Sequence, residues 1–473
     1  MTNSGFCAAI LLSSESKMAL VVAVRTHMIL QGEKAMNPET ARAALNSAIT
    51  KLTDCKWLFC RNPEKDFTRE RKLPFEKTVS AILSFRGGTL NHDLLDFFGL
   101  DPALPTSPAF IQQRSKILPE AFETLFHLFT DEISQNNTYK GFRLLAIDGS
   151  DLQIASNPDD PDSFYSDVHN GKPCNLLHIN AMYDLCQHLY LDAVVQKYRH
   201  KDESLALTTM VDRYQTKKAL VMADRGFESY NNLAHIQEKG WSFLIRAKSS
   251  SGIVSGFQLP DSDCFDVPFH LNITRSRTNA VKELLLNKNA YKCIPQDARL
   301  DFLPAKCKRN EPAVFYPLHF RVVRFPISDT ENEIIITNLN ADEFPMEEVK
   351  HLYGMRWGIE TSFRDLKHTL ALLHLHAKKV EFILQEIFAK FVMYNFCELI
   401  TRSVVIQQGS KKYAYKVNFY DAAHICLQFF RGDIPPPDVE ALLLRFISPI
   451  RPGRKDARKL SRKPSVSFLY RVA

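Results

Sequence analysis

The chain has 473 residues, a length that exceeds one ordinary domain and predicts two or three. Its composition, 45% hydrophobic and 24% charged, is typical of a folded protein and excludes a disordered or fibrous chain. The net charge is +7, and residues 451–473 hold the whole excess, with eight basic side chains against one acidic. Such a tail suits phosphate groups as partners, although as an isolated feature it is more often a solvated end.

Cysteine usage and hydropathy bear on the cellular compartment. The ten cysteines form no CxxC pair and no zinc-like spacing, which is typical of reduced thiols in a cytosolic protein. The early apolar stretches, residues 8–12 and 18–24, fall far short of the roughly 18 residues that a membrane span requires. We therefore predict a cytoplasmic protein without a membrane partner.

The first half of the chain changes from a helical to a strand-rich pattern. Residues 1–65 are poorly defined, and residues 66–138 carry apolar side chains at helical spacing, interrupted by turn signals, which predicts a small helical domain. The following pattern predicts strands at 142–147, 176–182 and 188–195, a helix Glu203–Arg213, a strand Ala219–Ala223, a helix from Tyr230 and a strand at 242–245. This order indicates an α/β sheet whose first strands pair as a meander.

The second half returns to the same sheet after an interruption. Residues 248–330 have weaker order with strand-like pieces near 315–325, which predicts a β-rich insertion. A buried-strand pattern at 333–339 and a helical period over 346–373 follow. We therefore expect the core to comprise residues 139–247 and 331–400, with a helical region at 401–473 that carries the basic tail.

Two aspartates leave predicted strands beside or near a glycine. Asp148 follows an apolar run and precedes Gly149, and Asp224 follows another run two residues before Gly226. Rigid backbone would hold each carboxylate while its oxygens meet solvent, as a Mg²⁺ ligand requires. Taken singly, each aspartate is more often the cap of a turn or helix.

A third carboxylate belongs to a spaced set on the predicted helix over 346–373. Tyr353, Arg356, Glu360 and Lys367 follow the pattern Y-x2-R-x3-E-x6-K, which places them within a stripe roughly 60° wide on one helix face. The alternative is a surface helix with ordinary ion pairs. Together with the two aspartates, the set favours a functional site. His374 and His376 are expected on different faces of this helix and are poor metal ligands.

The D-G-S turn at Asp148, the D-R-G-F segment at Asp224 and the Y-R-E-K helix resemble the DDE transposases of the insertion-sequence-four (IS-four) family. The resemblance implies an RNase H-like core, a mixed five-stranded sheet flanked by helices, with the β-rich insertion before the glutamate helix. It also implies that the helical domain at 66–138 binds DNA ends.

The resemblance also assigns roles to residues. It implies that the catalytic and metal-binding triad is Asp148, Asp224 and Glu360, and that Tyr353, Arg356 and Lys367 hold phosphates of the transposon end. Arg246, at the end of the fifth strand, is a further candidate for DNA contact, although an exposed arginine is the default interpretation.

Phosphodiester chemistry agrees with this triad. Cleavage requires neutralisation of a strongly negative transition state and activation of water or a 3′-hydroxyl, which two Mg²⁺ ions roughly 3.5–4 Å apart provide. Mn²⁺ is the alternative ion. We expect Asp148 to bridge both ions, Asp224 to bind one and Glu360 the other.

The predicted function is cut-and-paste DNA transposition at insertion-sequence ends. The partners would be double-stranded DNA, as terminal inverted repeats and target, and a second copy of the chain in a homodimer on paired ends. The protein would act in the bacterial cytoplasm at the nucleoid. Two alternatives stay open: an inactivated copy that binds DNA without cutting it, and an RNase H-like nuclease or resolvase that never joins strands.

Overall fold

The computed structural model describes residues 36–69, 71–165, 173–249, 251–305, 312–327, 331–407 and 413–450. Helices occupy the region before the first strand, as predicted for residues 66–138. They begin earlier than predicted, because residues 38–54, within the segment described as poorly defined, form a helix with buried apolar side chains. The helices are α1 (Pro38–Asp54), α2 (Phe75–Leu83), α3 (Leu90–Phe97), α4 (Ser107–Arg114) and α5 (Glu120–Ile133). Several begin at a side-chain cap; Asn37 accepts from Thr40 N, and Thr106 accepts from Ala109 N.

The core follows in the predicted order of strands and helices. Its elements are β1 (Arg143–Ile154), β2 (Phe164–Tyr165), β3 (Cys174–Asp184), β4 (Leu189–Lys197), α6 (Glu203–Arg213), β5 (Ala219–Ala223), α7 (Tyr230–Glu238) and β6 (Ser242–Arg246). Strands β3 and β4 pair antiparallel, β1 pairs antiparallel with β3, and β5 and β6 continue parallel to β1. The resulting order β4-β3-β1-β5-β6 is that of an RNase H-like core.

Strand β1 extends further than the sequence predicts. The sequence pattern ends it at Asp148, whereas the strand continues to Ile154 because residues 145–154 pair with β3. Its pairing with β5 stops earlier, at the pair Ile147 and Ala223. Asp148 therefore lies inside a strand at the point where one of its two neighbours ends.

The insertion adds strands to this sheet. It contains β7 (Phe265–Thr274), α8 (Asn279–Leu284), β8 (Tyr291–Cys293) and β9 (Tyr316–Pro326), and the chain returns in β10 (Asn332–Thr337). Strand β10 pairs antiparallel with β6 on one side and with β9 on the other. The described residues thus form one sheet of ten strands, of which five are the predicted core.

The stretch that carries the third carboxylate is not one continuous helix. It comprises α9 (Met346–Met355), α10 (Trp357–Arg364) and a π-helical turn (Asp365–Thr369). At Arg356 the hydrogen bonds tighten, since its N–H reaches the carbonyl of Tyr353. Residues 370–379 are not helical, so the prediction that His374 and His376 lie on a helix is wrong.

Helix α11 (Val380–Ser403) connects the core to the N-terminal helices. It packs against α1, α2 and α5 on one side and β4 on another. A buried ion pair joins it to α4, with Arg114 Nη1 2.7 Å from Glu386 Oε1. The chain then forms β11 (Tyr415–Val417), α12 (Phe419–Arg431), α13 (Pro436–Arg445) and β12 (Ile447–Pro449).

Two further sequence predictions concern membrane-spanning helices and the terminal segments. No helix within the described ranges is both long and apolar enough to cross a membrane. The basic tail, residues 451–473, lies outside the described residues, as does most of the poorly defined segment 1–65.

Candidate active site

Strand register brings Asp148 and Asp224 together. Ile147 on β1 is paired with Ala223 on β5, and each aspartate is the next residue along its strand direction. Neighbouring strands are about 4.8 Å apart, so the backbones of Asp148 and Asp224 lie side by side where the pairing of β1 with β5 ends. Both side chains are partly exposed.

Backbone amides orient both carboxylates. Gly149 N donates to Asp148 Oδ1 at 2.9 Å, and Gly226 N donates to Asp224 Oδ1 at 2.8 Å. The second contact belongs to a turn in which Asp224 caps a short 3₁₀ helix, so the capping interpretation of this residue is also correct. One oxygen of each carboxylate is held by the protein, which fixes the direction of the other.

Glu360 lies on α10, which packs against β1. Its carboxylate is 28% exposed and accepts from Arg356 Nη2 at 2.8 Å. The charges of Glu360 and Asp224 both act on Asp148. Burial above all, and then these two neighbouring carboxylates, raise the pKa of Asp148 to about 6 against the opposing charge of Arg356. The three carboxylates therefore share one electrostatic environment.

Tyr353 and Arg356 stand beside this environment and are nearly buried. Their exposed fractions are 5% and 7%, and the guanidinium carbon lies 5.4 Å from the Tyr353 ring centroid. Burial raises the pKa of Tyr353 to about 12, although the Arg356 charge opposes this. Tyr353 Oη and Arg356 Nε have no hydrogen-bond partner among the described residues. Unpaired buried polar atoms of this kind are costly unless a ligand satisfies them.

Lys367, in the π-helical turn, reaches across to β1. Its Nζ donates to Ser150 Oγ at 2.6 Å and to the carbonyl oxygen of Asp151 at 3.0 Å. Burial lowers the pKa of Lys367, and the charges of Asp151 and Asp148 oppose that effect. The Lys367 ammonium group therefore lies against Ser150 and Asp151 of β1, which follow Asp148 on the same strand.

Arg246 ends β6, on the far side of β5 from Asp148. Its side chain is 35% exposed, and Nη1 lies 3.6 Å from Glu333 Oε1 on β10. Its charge also acts to lower the pKa of Tyr353. Arg246 therefore borders the site and does not contact the three carboxylates directly.

Comparison with known proteins adds the family. A family model described as "Transposase DDE domain" matches residues 139–396, more than half of the chain. The chain belongs to this family. Transposase InsG for insertion sequence element IS4, from Escherichia coli (strain K12), is 23% identical over 350 residues, which cover 69% of this chain and 70% of that relative. The predicted membership of the IS-four DDE transposases is confirmed.

A solved structure is also similar in outline to this DDE transposase. It is piggyBac transposase in a synaptic complex with hairpin DNA, aligned over 89% of this chain and 87% of that chain with 10% identity and a TM-score of 0.44. The RNase H-like class itself follows from the strand order described above.

A metal ion at this site of the DDE transposase would have carboxylate oxygens as its donors. Within the described residues, no three His, Cys, Asp or Glu side chains stand close enough together to hold one ion. Arg356 donates to one oxygen of Glu360. The donors themselves fit, since carboxylate oxygens are the ligands that Mg²⁺ prefers and a cation would oppose the burial and the like charges that raise the pKa of Asp148.

Sequence reasoning missed a polar cluster behind these carboxylates. It comprises Asp151, His178, Lys201 and Glu203. The available signal was His178 and Asn180 alternating within the otherwise apolar run 176–182 of strand β3, since two polar side chains on one face of a buried strand require partners.

Proposed function

We propose that this DNA transposase cleaves and joins phosphodiesters at the ends of its own element, with Asp148, Asp224 and Glu360 as the catalytic carboxylates. The observation that carries the proposal is the strand register that places Asp148 beside Asp224, together with the charges of Asp224 and Glu360 that both act on Asp148. A partly buried carboxylate whose pKa is perturbed by neighbouring charges in this way is a candidate functional residue. The reaction class is phosphoryl transfer without a covalent enzyme intermediate.

The three carboxylates would hold two divalent cations, Mg²⁺ or alternatively Mn²⁺, with Asp148 shared between them. When bound, these ions would stabilise charge on the attacking and leaving oxygens of the phosphodiester. The protein itself supplies orientation. Amides of Gly149 and Gly226 hold one oxygen of each aspartate, and Arg356 holds Glu360.

Tyr353, Arg356 and Lys367 would bind phosphates of the DNA end beside the carboxylates. Tyr353 Oη and Arg356 Nε are nearly buried donors without partners in the described part of the chain, and phosphate oxygens would satisfy both. Lys367 already lies against β1, where a phosphate next to the scissile bond would pass. Arg246, at the border of the site, would contact DNA further along the backbone.

The partners follow from the family. We propose that the substrate is double-stranded DNA, first as terminal inverted repeats and then as target, and that two copies of the chain assemble on paired ends. Light scattering of the protein with end-bearing DNA should give the mass of a dimer on two ends. A monomer on a single end throughout the concentration range would contradict the assembly.

Substitution of the carboxylates tests the catalytic assignment. Asp148→Asn, Asp224→Asn and Glu360→Gln should each lower end cleavage and strand joining by at least about 10² to 10³-fold, because a group that acts on transition-state charge is lost. DNA binding should stay within about twofold, measured by fluorescence anisotropy in Ca²⁺. Cleavage by Glu360→Gln at the parental rate would refute the assignment.

Exposed carboxylates provide matched controls. Asp342 and Glu347 are exposed, and Glu347 lies on α9, the helix before the one that carries Glu360. Asp342→Asn and Glu347→Gln should cleave and join at the parental rate. Products that stop at hydrolysed ends, with no joined strands in the parent protein, would favour a nuclease or resolvase over a transposase.

A further inference from the structure

His178 lies on β3, the strand paired with the one that carries Asp148. Its side chain is 2% exposed, and in the register of β1 with β3 the residue is paired with Asp151. His178 Nδ1 lies 2.6 Å from Asp151 Oδ1. A buried histidine with a carboxylate at one nitrogen has a fixed ring orientation.

The second nitrogen of His178 faces another carboxylate. Nε2 lies 3.2 Å from Glu203 Oε1, an ion-pair contact whose angle falls short of a hydrogen bond. Glu203 is the first residue of α6, and Lys201 Nζ is 3.0 Å from the same oxygen. The imidazole ring therefore has a carboxylate at each nitrogen, Asp151 of β1 at Nδ1 and Glu203 of α6 at Nε2.

The ring also contacts the backbone next to Asp148. A Cβ atom added to Gly149 would lie 2.6 Å from His178 Nε2 and 2.9 Å from its Cε1, distances that no side chain tolerates. Glycine after Asp148 is thus required because the imidazole occupies the space where a side chain would stand.

The Glu203 side chain similarly lies close to Gly226, in the turn that follows Asp224. A Cβ atom added to Gly226 would lie 3.3 Å from Glu203 Oε2 and 3.0 Å from Asp224 Oδ1. The pair of His178 and Glu203 therefore spans from strand β1 at Gly149 to the turn that follows Asp224. Both ends of this pair contact backbone that is adjacent to a carboxylate of the site.

We propose that His178, held between Asp151 and Glu203, is a positioning residue that sets the separation of Asp148 and Asp224. The inference rests on the proposed function of those two aspartates. Stability alone would not require this arrangement, since buried ion pairs are often replaced by apolar side chains without loss. A metal site does require its ligands to be held within about 0.5 Å, and supporting hydrogen-bonded partners provide that precision.

Two variants test the proposal on the full chain. Glu203→Gln keeps the shape of a partly exposed side chain, and His178→Gln removes the ring. Each should lower the single-turnover rate of end cleavage at saturating DNA by about 10 to 100-fold, with the Kd for DNA within about twofold, because misplaced ligands affect the chemical step. Partial recovery of the rate by Glu203→Asp is expected.

A second readout does not depend on cleavage. Mn²⁺ should raise the melting temperature of the parent protein, since binding to the folded state stabilises it. The rise should shrink in both variants, at the same Mn²⁺ concentration. The matched control is Glu283→Gln, an exposed glutamate on α8 far from the core, which should keep the parental rate and the parental Mn²⁺ response.

Different results would contradict the positioning role of His178 and the proposed catalytic role of the aspartates. Parental cleavage rates and parental Mn²⁺ responses in both variants, whatever their melting temperatures, would overturn the positioning role and leave His178 purely structural. Cleavage by Asp148→Asn at the parental rate would instead refute the proposed function, irrespective of His178.

Discussion

Asp148 meets two opposing requirements at a single position. Its carboxylate must be ionised to bind a cation, yet it is partly buried and faces Glu360 and Asp224. Burial and like charge both disfavour the ionised form, so the metal-free fold is less stable than it would be with a neutral side chain there. Functional sites commonly retain such local instability.

Removal of this charge should therefore stabilise the metal-free protein. The pKa of Asp148 is raised from 3.8 to about 6, so the free energy of unfolding falls as pH rises from about 4 to 6. Asp148→Asn lacks this decrease. In EDTA at about pH 8, the variant should be more stable than the parent by about 1 to 2 kcal/mol in urea unfolding, and equally stable near pH 4.

The control for this prediction is Asp263→Asn, since the Asp263 carboxylate is 80% exposed and lies in the insertion. Its free energy of unfolding should follow that of the parent at each pH. If Asp148→Asn is instead less stable than the parent at pH 8, Asp148 does not stand in a crowded negative environment.

At the scale of single elements, sequence patterns correctly predicted the helices and strands whose ends are determined by neighbouring residues in the chain. Helix α6 was predicted with the observed bounds because Asp202 caps its start, where its side chain accepts from Leu205 N. Strand β5 was also predicted with its observed bounds, as an uninterrupted apolar run. Local sequence was sufficient in both cases.

Elements that depend on distant pairing were predicted less well. The second half of β1 carries polar side chains, and its strand structure comes from β3, about 30 residues later in the chain. The cluster around His178 was missed for the same reason, since Asp151, His178 and Glu203 meet only through the sheet register and the start of α6. The site carboxylates were predicted, and their supporting contacts were not.

The segment after α10 and the π-helical turn is connected to the N-terminal helices through His376. Its Nε2 lies 2.9 Å from Asp93 Oδ2 on α3, and its Nδ1 lies 3.6 Å from Glu386 Oε2 on α11. Arg114 contacts the other oxygen of Glu386. Burial works against the protonated ring, but the two carboxylates raise the pKa of His376 above its ordinary value of 6.5.

Loss of His376 should consequently destabilise the protein in a pH-dependent way. A raised folded-state pKa means that the stabilisation is complete below pH 6.5 and is lost as pH rises through that pKa. His376→Gln should lower the free energy of unfolding by about 2 to 3 kcal/mol near pH 6 and by less near pH 9, in urea titrations.

The matched control is His200→Gln, because the His200 side chain is 68% exposed and contacts only a partly exposed aspartate. Its effect on stability should be below about 0.5 kcal/mol at both pH values. A constant difference between His376→Gln and the parent across this range would mean that the pKa of His376 is not raised in the folded protein.

For the whole molecule, charge is concentrated at one end of the sequence. The net charge of +7 equals the surplus of residues 451–473, which lie outside the described residues. Each phosphate neutralised by a basic side chain releases counterions, so DNA affinity should depend on salt in proportion to the contacts made. The eight basic side chains of the tail would supply such contacts.

Replacement of the eight basic side chains of the tail by glutamine keeps the chain length and removes that source. The slope of log Kd against log salt for end-bearing DNA should become shallower by at least about 2, measured by anisotropy between 50 and 200 mM salt. Cleavage at low salt and saturating DNA should be unchanged. An unaltered slope would show that the tail does not contact DNA.

The insertion begins and ends at neighbouring strands, because the chain leaves the core after β6 and returns to it in β10. Arg246, the last residue of β6, is paired with Ile335 on β10, so the 85 residues between β6 and β10 begin and end on adjacent antiparallel strands. A short hairpin turn can join such strands. The block is thus an enlarged hairpin loop, and relatives could lengthen, shorten or exchange it without altering the path from β10 to Glu360.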